Sequence, residues 1–128
     1  MFLTGKEFNE MFADKSFYKL LNDDCVHHDF LYQDGLNTDT QKHGINFIDK
    51  ENIFNRLNDK HLYFCEVKIT DDSYVYVEAY PNSQRIKNCK SKSLILDFSK
   101  KMKICDLPEW SSETFCKDFI KKCSSPFH

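Results

Sequence analysis

The stretch that decides the fold is HLYFCEVKITDDSYVYVEAY, residues 61–80. Apolar side chains recur there at every second position, which is the period of a β-strand whose side chains point to opposite faces in turn. The two sets that share a face are Tyr63, Cys65, Val67 and Ile69, and then Val75, Val77 and Ala79. Four polar residues, 70–73, separate the two runs. The pattern therefore predicts two strands that pair as an antiparallel hairpin.

Shorter runs on either side predict further strands. Residues 16–21 and 28–33 are rich in apolar and aromatic side chains, and SLILDF at 93–98 is another apolar run. Turn-forming residues follow the first two runs, at 22–24 and at Asp34-Gly35. Residues 37–48 are polar and show no clear period, so we expect irregular structure there.

Three helices are predicted around the sheet. Thr4 and Glu7 have the spacing of a capping box, which opens an N-terminal helix within residues 1–15. Asp49 can cap a second helix that carries Ile53. Ser111 or Ser112 can cap a C-terminal helix over 111–123, whose apolar stripe includes Phe115, Phe119 and Ile120.

These elements predict an α+β fold in a single domain, with an antiparallel or mixed sheet, short flanking helices and a C-terminal helix. The sheet-rich core is expected to span 16–110, between the helices of 1–15 and 111–123. A length of 128 residues suits one domain, and 41% hydrophobic residues suffice for one core. No apolar run reaches the roughly 20 residues that span a bilayer. The N-terminal residues lack the features of a signal peptide, so we expect an intracellular protein that is neither secreted nor bound to a membrane.

Charge is unevenly distributed along the chain. Residues 1–84 hold 8 Lys or Arg and 15 Asp or Glu, whereas residues 85–128 hold 10 and 5. The basic segment, residues 85–103, could contact phosphates, but it lacks a set of interleaved aromatic residues for base stacking, since Phe98 is its single aromatic residue. A solvated basic surface is therefore the favoured interpretation, and nucleic acid is an unlikely partner. The basic patch consists of Arg85, Lys87, Lys90, Lys92, Lys100, Lys101 and Lys103.

Six cysteines are present, and no pair has the spacing typical of zinc or redox sites. We expect reduced and mostly buried thiols. Cys25, His27 and His28 lie close together, but they provide too few ligands on one face of a strand for a structural zinc site. We predict no metal site and no cofactor.

The segment HDFLYQDGLN, residues 28–37, has two interpretations. As a binding loop, it would use Tyr32, Asp34, Gly35 and Asn37. As a structural corner, Asp34-Gly35 would form the turn, because glycine adopts backbone conformations that other residues adopt only at a cost. We favour the structural interpretation, which predicts that Gly35→Val destabilises the fold.

Several of these stretches together resemble the N-terminal module of ankyrin-repeat proteins from the mimivirus family of giant viruses. They are FYKLL (17–21), FLYQDGLN (30–37), HLYFCEVKI (61–69), a strand ending at Pro81, SLILDF (93–98) and DLPEW (106–110). The family pattern has glycines where Lys60-His61 stand here, and its repeats begin where this chain ends. The resemblance implies a virus-encoded protein in the cytoplasm of an infected host cell or in the virion.

Three functions are compatible with the sequence. The first, which we favour, is a non-enzymatic protein-binding or adaptor module for a host or viral protein, with a homodimer formed through the C-terminal helix or a sheet edge as a further possibility. The second is an enzyme, since the order of strands loosely resembles small proteins of the ADP-ribosyltransferase superfamily; Tyr18, Tyr63 and Glu78 would then be the residues to test around a dinucleotide. The third is nucleic-acid binding through residues 85–103. Enzymatic activity is not our expectation.

Overall fold

A computed structural model describes residues 1–22, 25–27, 30–40, 42–53, 61–83, 85–103 and 106. The strands of these residues are β1 (Phe2–Thr4), β2 (Phe17–Asn22), β3 (Val26–His27), β4 (Phe30–Leu31), β5 (Gly35–Thr38), β6 (Ile45–Asp49), β7 (His61–Lys68), β8 (Tyr74–Ala79), β9 (Ile86–Ser91), β10 (Ser93–Leu96) and β11 (Met102–Lys103). Their α-helix is α1 (Gly5–Met11), and Lys50–Asn52 and Phe98–Lys100 are short 3-10 helices.

Nine of the strands form one sheet in the order β1-β8-β9-β6-β2-β7-β10-β5, with β11 also paired to β7. Strands β3 and β4 pair separately. All of the pairings between described strands are antiparallel. An antiparallel sheet can pack one face against a core and leave the other face in water. The site described below lies on a face that is exposed to water.

The predicted α+β class is wrong, because the protein is a β-rich fold built on this single antiparallel sheet. The two ends of the segment predicted to be irregular belong to β5 and β6, and the basic segment contains β9, so strands occupy stretches for which none was predicted. Of the helix predicted after Asp49, Lys50–Asn52 form a 3-10 helix whose N-cap makes no side-chain capping bond, Ile53 is helical, and the remainder lies outside the described residues. The predicted C-terminal helix, 111–123, lies outside the described residues.

The N-terminal helix is present, and its capping box is formed as predicted. The backbone N–H of Glu7 donates to Thr4 Oγ1 at 3.1 Å, and the N–H of Thr4 donates to Glu7 Oε1 at 3.0 Å. The start of α1 lies against the corner between β7 and β8, where the N–H of Gly5 donates to the carbonyl of Ser73 at 2.7 Å. A Cβ at Gly5 would stand only 1.8 Å from the carbonyl oxygen of Thr70. This close approach explains why glycine opens the helix.

The predicted hairpin of β7 with β8 is wrong, although both strands exist. Strand β7 pairs with β2, β10 and β11, whereas β8 pairs with β1 and β9. The chain at residues 70–73 therefore crosses from one part of the sheet to another. A period-two pattern shows which side chains face the core, but it does not show which strand is adjacent in the sheet.

Both parts of the sheet contribute to one hydrophobic core. Val75 and Val77 from β8 belong to the same buried cluster as Cys65 and Val67 from β7. Phe8 of α1 extends this cluster through aromatic contacts with neighbouring phenylalanines, with ring centroids 4.8 to 5.7 Å apart. Burial of these inward side chains fixes the outward direction of their neighbours on each strand.

Candidate functional site

A group of exposed aromatic side chains lies on the outer side of β1 and β8. Because Val75 and Val77 point into the core, Tyr74 and Tyr76 point outward. Tyr74 is 62% exposed, Tyr76 is 37% exposed, and Phe2 of β1 is 83% exposed. We call these three residues the aromatic face. Aromatic side chains in water are costly to leave uncovered, so such a group is typical of a contact surface.

Strand register places this face directly beside a lysine. Phe2 is the cross-strand partner of Tyr76, and Tyr76 is in turn the partner of Lys90 in β9. The rings of Phe2 and Tyr76 are 4.7 Å apart between centroids, with a tilt of 52°. Phe2, Tyr76 and Lys90 therefore form one row across three neighbouring strands.

An open groove of about 360 Å³ adjoins the row, and its lining includes all three members of the aromatic face. Its other side is formed by the loop that carries Asp39, Lys42 and Gly44. This loop is fixed to the sheet, because the N–H of Asp39 donates to the carbonyl of Lys92 at 2.8 Å. Within it, the N–H of Gly44 donates to Asp39 Oδ2 at 2.8 Å. The groove therefore has defined walls.

The groove carries more positive than negative charge. Lys42, Lys90 and Lys92 line it, and Asp39 is the one carboxylate among its described lining residues. One oxygen of that carboxylate already accepts a hydrogen bond from the loop backbone. The three lysines are exposed. The combination of open aromatic rings and lysines suits an anionic ligand that also has flat or apolar parts.

The structure divides the predicted basic patch into groups with different surroundings. Lys90 and Lys92 belong to the groove, whereas Lys87 forms an ion pair with Glu78 at 3.4 Å, and Arg85 lies over the ring of Tyr80. The others lie past the end of β10. Lys101 Nζ stands 4.5 Å from the ring centroid of Tyr63 and 4.6 Å from that of Phe98, and Lys100 and Lys103 are exposed.

The four loop residues proposed for binding are engaged in the fold. Asn37 is buried; its Nδ2 donates to the carbonyls of Gln33 and Gly35, and its Oδ1 accepts from the N–H of Gln33 at 2.9 Å. Asp34 Oδ1 accepts from the N–H of Phe98 at 2.8 Å. Gly35 has φ +89°, and Tyr32 is buried, with its pKa raised to about 12 by burial. These contacts favour the structural corner over the binding loop.

The three residues named for an enzymatic alternative are not brought together. Tyr18 alternates with buried residues of β2, so its side chain points to the opposite face of the sheet. On that face its ring contacts the ring of Phe64. Tyr63 packs against the core cluster from β7. Glu78 lies on β8, separated from β2 by two strands, and pairs with Lys87. The geometry gives no common site for a dinucleotide.

Lys19 is a feature that the sequence did not single out. It lies on the core face of β2 between Phe17 and Leu21 and is only 4% exposed. Its Nζ donates to the carbonyl of Asn46 at 2.6 Å and stands 4.8 Å from the ring centroid of Tyr32. Burial lowers the pKa of Lys19 to about 8. Lys19 therefore lies on the core face of the sheet, away from the groove.

The described cysteines, Cys25, Cys65 and Cys89, are buried free thiols. Burial raises the pKa of Cys65 to about 11 and that of Cys89 to about 12. Both values oppose formation of a reactive thiolate. Within the described residues, no three His, Cys, Asp or Glu side chains are grouped so that they could hold a metal ion.

Sequence reasoning named two residues of the site, because Lys90 and Lys92 belong to the predicted basic patch. It named neither the aromatic face nor Lys42. The alternation in β8 is the signal that could have shown Tyr74 and Tyr76 to face solvent, whereas no local pattern indicates that β9 lies beside β8. No α-helix of the described residues has the length and apolar composition needed to cross a membrane.

Comparisons with protein-family models, with curated proteins and with solved structures found no match for this chain. The resemblance to the giant-virus module stays a prediction.

Proposed function

We propose that this protein is a non-enzymatic binding module and that its contact surface is the aromatic face with Lys42, Lys90 and Lys92. The single observation that carries the proposal is the row formed by Phe2, Tyr76 and Lys90 across three strands. The inward valines of β8 hold the tyrosines in position, so the surface is present before any partner arrives. Preorganised aromatic side chains bind with little loss of conformational entropy.

The distribution of perturbed titratable groups supports binding over catalysis. Catalytic sites are where shifted pKa values usually gather around a cleft. The pKa values of Lys19, Cys65 and Cys89 are strongly shifted, but these residues are buried in the interior and do not line the groove. The groove instead offers rings, lysines and one carboxylate that is already hydrogen-bonded.

The resemblance to a module joined to ankyrin repeats also supports a recognition function, by analogy at the level of family. Under that resemblance, the partner would be a host or viral protein met in the infected cell. A homodimer through a sheet edge is part of the same proposal. The outer edge of β5 is suited to it, because Leu36 there is exposed and the strand pairs with β10 on its other side.

The proposal is tested by capture of macromolecules from a cell lysate on immobilised protein. The double variant Tyr74→Thr/Tyr76→Thr removes two rings while keeping residues that favour strands. Leu31→Ala is the matched control, because it removes an exposed apolar side chain from β4, which lies outside this sheet. We expect capture to be lost in the double variant and kept in the control. Equal capture by the two variants would contradict the proposal.

A further inference from the structure

We infer that the ligand of the aromatic face is a single-stranded nucleic acid. This inference rests on the proposed function and assigns the chemical class of its ligand. The basic segment by itself argued against nucleic acid, because Phe98 is its single aromatic residue and its lysines have no aromatic residues interleaved for stacking. The fold supplies those residues from two other strands, and it places them next to the lysines.

The spacing of the rings suits successive bases. Tyr74 and Tyr76 lie two residues apart on one strand, so their side chains leave the same face about 7 Å apart. Phe2 continues the surface toward the edge of the sheet, beside Tyr76. Every base has a flat π-face, so such rings can stack on bases of any sequence. A sheet that presents two or three aromatic rings is a known way of holding unpaired bases.

The lysines are placed for phosphate contacts alongside the rings. Lys90 follows Tyr76 in the cross-strand row, and Lys42 and Lys92 line the groove next to it. Glu78, the nearby acid of β8, is paired with Lys87 at 3.4 Å, which reduces its repulsion of phosphates. Three lysine contacts predict a slope of about −2 for the logarithm of affinity against the logarithm of salt concentration, since each contact to a single strand contributes about −0.7.

The openness of the surface favours bases over an acidic protein segment. Protein partners gain most of their affinity from side chains that enter closed pockets. The three rings here stand on an open sheet, and Phe2 is 83% exposed, so a flat ligand can cover them without a deep cavity. A duplex is a poor match, because its bases are already stacked on one another and cannot reach the rings.

The test is a titration followed by fluorescence anisotropy. The probes are labelled single strands of about 8 nucleotides, of mixed sequence and of thymidine only, and a duplex of the mixed sequence. We expect both single strands to bind, the duplex to bind more weakly, and the salt slope to be near −2. Tyr76→Thr should weaken binding of single strands by at least about five-fold, whereas Tyr76→Phe, which keeps the ring, should retain it.

Two lysine variants show whether the contact is local. Lys90→Ala should weaken binding and reduce the magnitude of the salt slope by about 0.7, because one phosphate contact is lost. Lys100→Ala removes an exposed lysine outside the groove and should change neither value. An equal loss in both variants would indicate diffuse attraction and would overturn the inference.

The remaining outcomes separate this inference from the proposed function. If the single strands fail to bind at low salt, the inference is wrong. If lysate capture still depends on Tyr74 and Tyr76 and survives nuclease, then the function stands with a protein as the ligand. If capture does not depend on them either, both proposals fail. Circular dichroism and thermal unfolding of each variant confirm that any loss comes from the surface and not from the fold.

Discussion

Replacing Lys19 by Met should remove a pH dependence from the stability of this protein. Lys19 is 4% exposed, and no carboxylate among the described residues contributes to the shift of its pKa, whose cause is burial. The ammonium group has the carbonyl of Asn46 and the ring of Tyr32 as its partners. These partners offset only part of the free energy that the ammonium group loses when it is removed from water.

The sign follows from the proton balance. The pKa of Lys19 falls from 10.5 in the unfolded chain to about 8 in the folded one. Between these values the unfolded state binds more protons, so the free energy of unfolding increases as pH rises. This contribution is complete above the unfolded pKa and is lost as pH falls through the folded pKa. Two and a half pKa units correspond to about 3 kcal/mol, of which about 1.4 kcal/mol is gained between pH 7 and pH 9.

Ionisation of two thiols lowers the free energy of unfolding at higher pH. The pKa values of Cys65 and Cys89 are raised to about 11 and about 12, from 9.0 in the unfolded chain. The unfolded state therefore releases these protons first, and stability is lost as pH rises above 9. The wild-type curve should rise up to about pH 9 and then flatten or fall. The difference between wild type and Lys19→Met cancels the thiol contributions, and it should grow in favour of wild type by about 1.4 kcal/mol from pH 7 to pH 9.

The assay is urea unfolding followed by circular dichroism, with reductant present, at intervals from neutral pH to pH 9. Lys68→Met is the matched control, because Lys68 lies on β7 with an exposed side chain. It should leave the pH dependence of wild type unchanged. A difference between wild type and Lys19→Met that stays constant over this range would show that the Lys19 ammonium is hydrated in the folded protein, and the reasoning would then be wrong.

Three further predictions concern the fold. Gly5→Ala should destabilise the protein by at least about 2 kcal/mol in urea unfolding, because the new Cβ would meet the carbonyl oxygen of Thr70 at 1.8 Å; a change below the error of the method would contradict this close approach. Asn37→Ala should cost about 2 kcal/mol, since it leaves partly buried backbone groups of its loop without partners, and Asn37→Asp should not recover the loss, because a carboxylate oxygen would then face the carbonyls of Gln33 and Gly35. Cys65 and Cys89 should react with a thiol reagent in the native protein only as fast as the protein unfolds; fast labelling of either one at neutral pH would disprove their burial.

The sequence predicted the strongly patterned strands well. Cys65, Val67, Ile69, Val75 and Val77 are buried as expected, whereas Tyr63 is only partly buried and Ala79 is exposed. The run at 93–98 contains β10. The capping box at Thr4 was also recognised correctly. In each case, a local pattern decides a local structure, so neighbouring residues carry enough information.

The sequence failed where strands have weak local preferences. Strand β6 reads INFID and β9 reads IKNCKS, and both contain residues that rarely favour strands. Both are nevertheless paired on two sides, β6 with β2 and β9, and β9 with β6 and β8. Hydrogen bonds from their neighbours override the local preference. These two strands were therefore missed.

The crossing at residues 70–73 and the unpredicted strand β9 together create the candidate site. The crossing at residues 70–73 takes β8 away from β7 and places it beside β9, which brings Tyr76 next to Lys90. Because Val75 and Val77 hold β8 in the core, the outward tyrosines contribute little to stability. Exchange of Tyr76 should therefore alter binding far more than folding, whereas exchange of Val77 should do the reverse. That separation allows the binding specificity of the aromatic face to change while the fold beneath it stays the same.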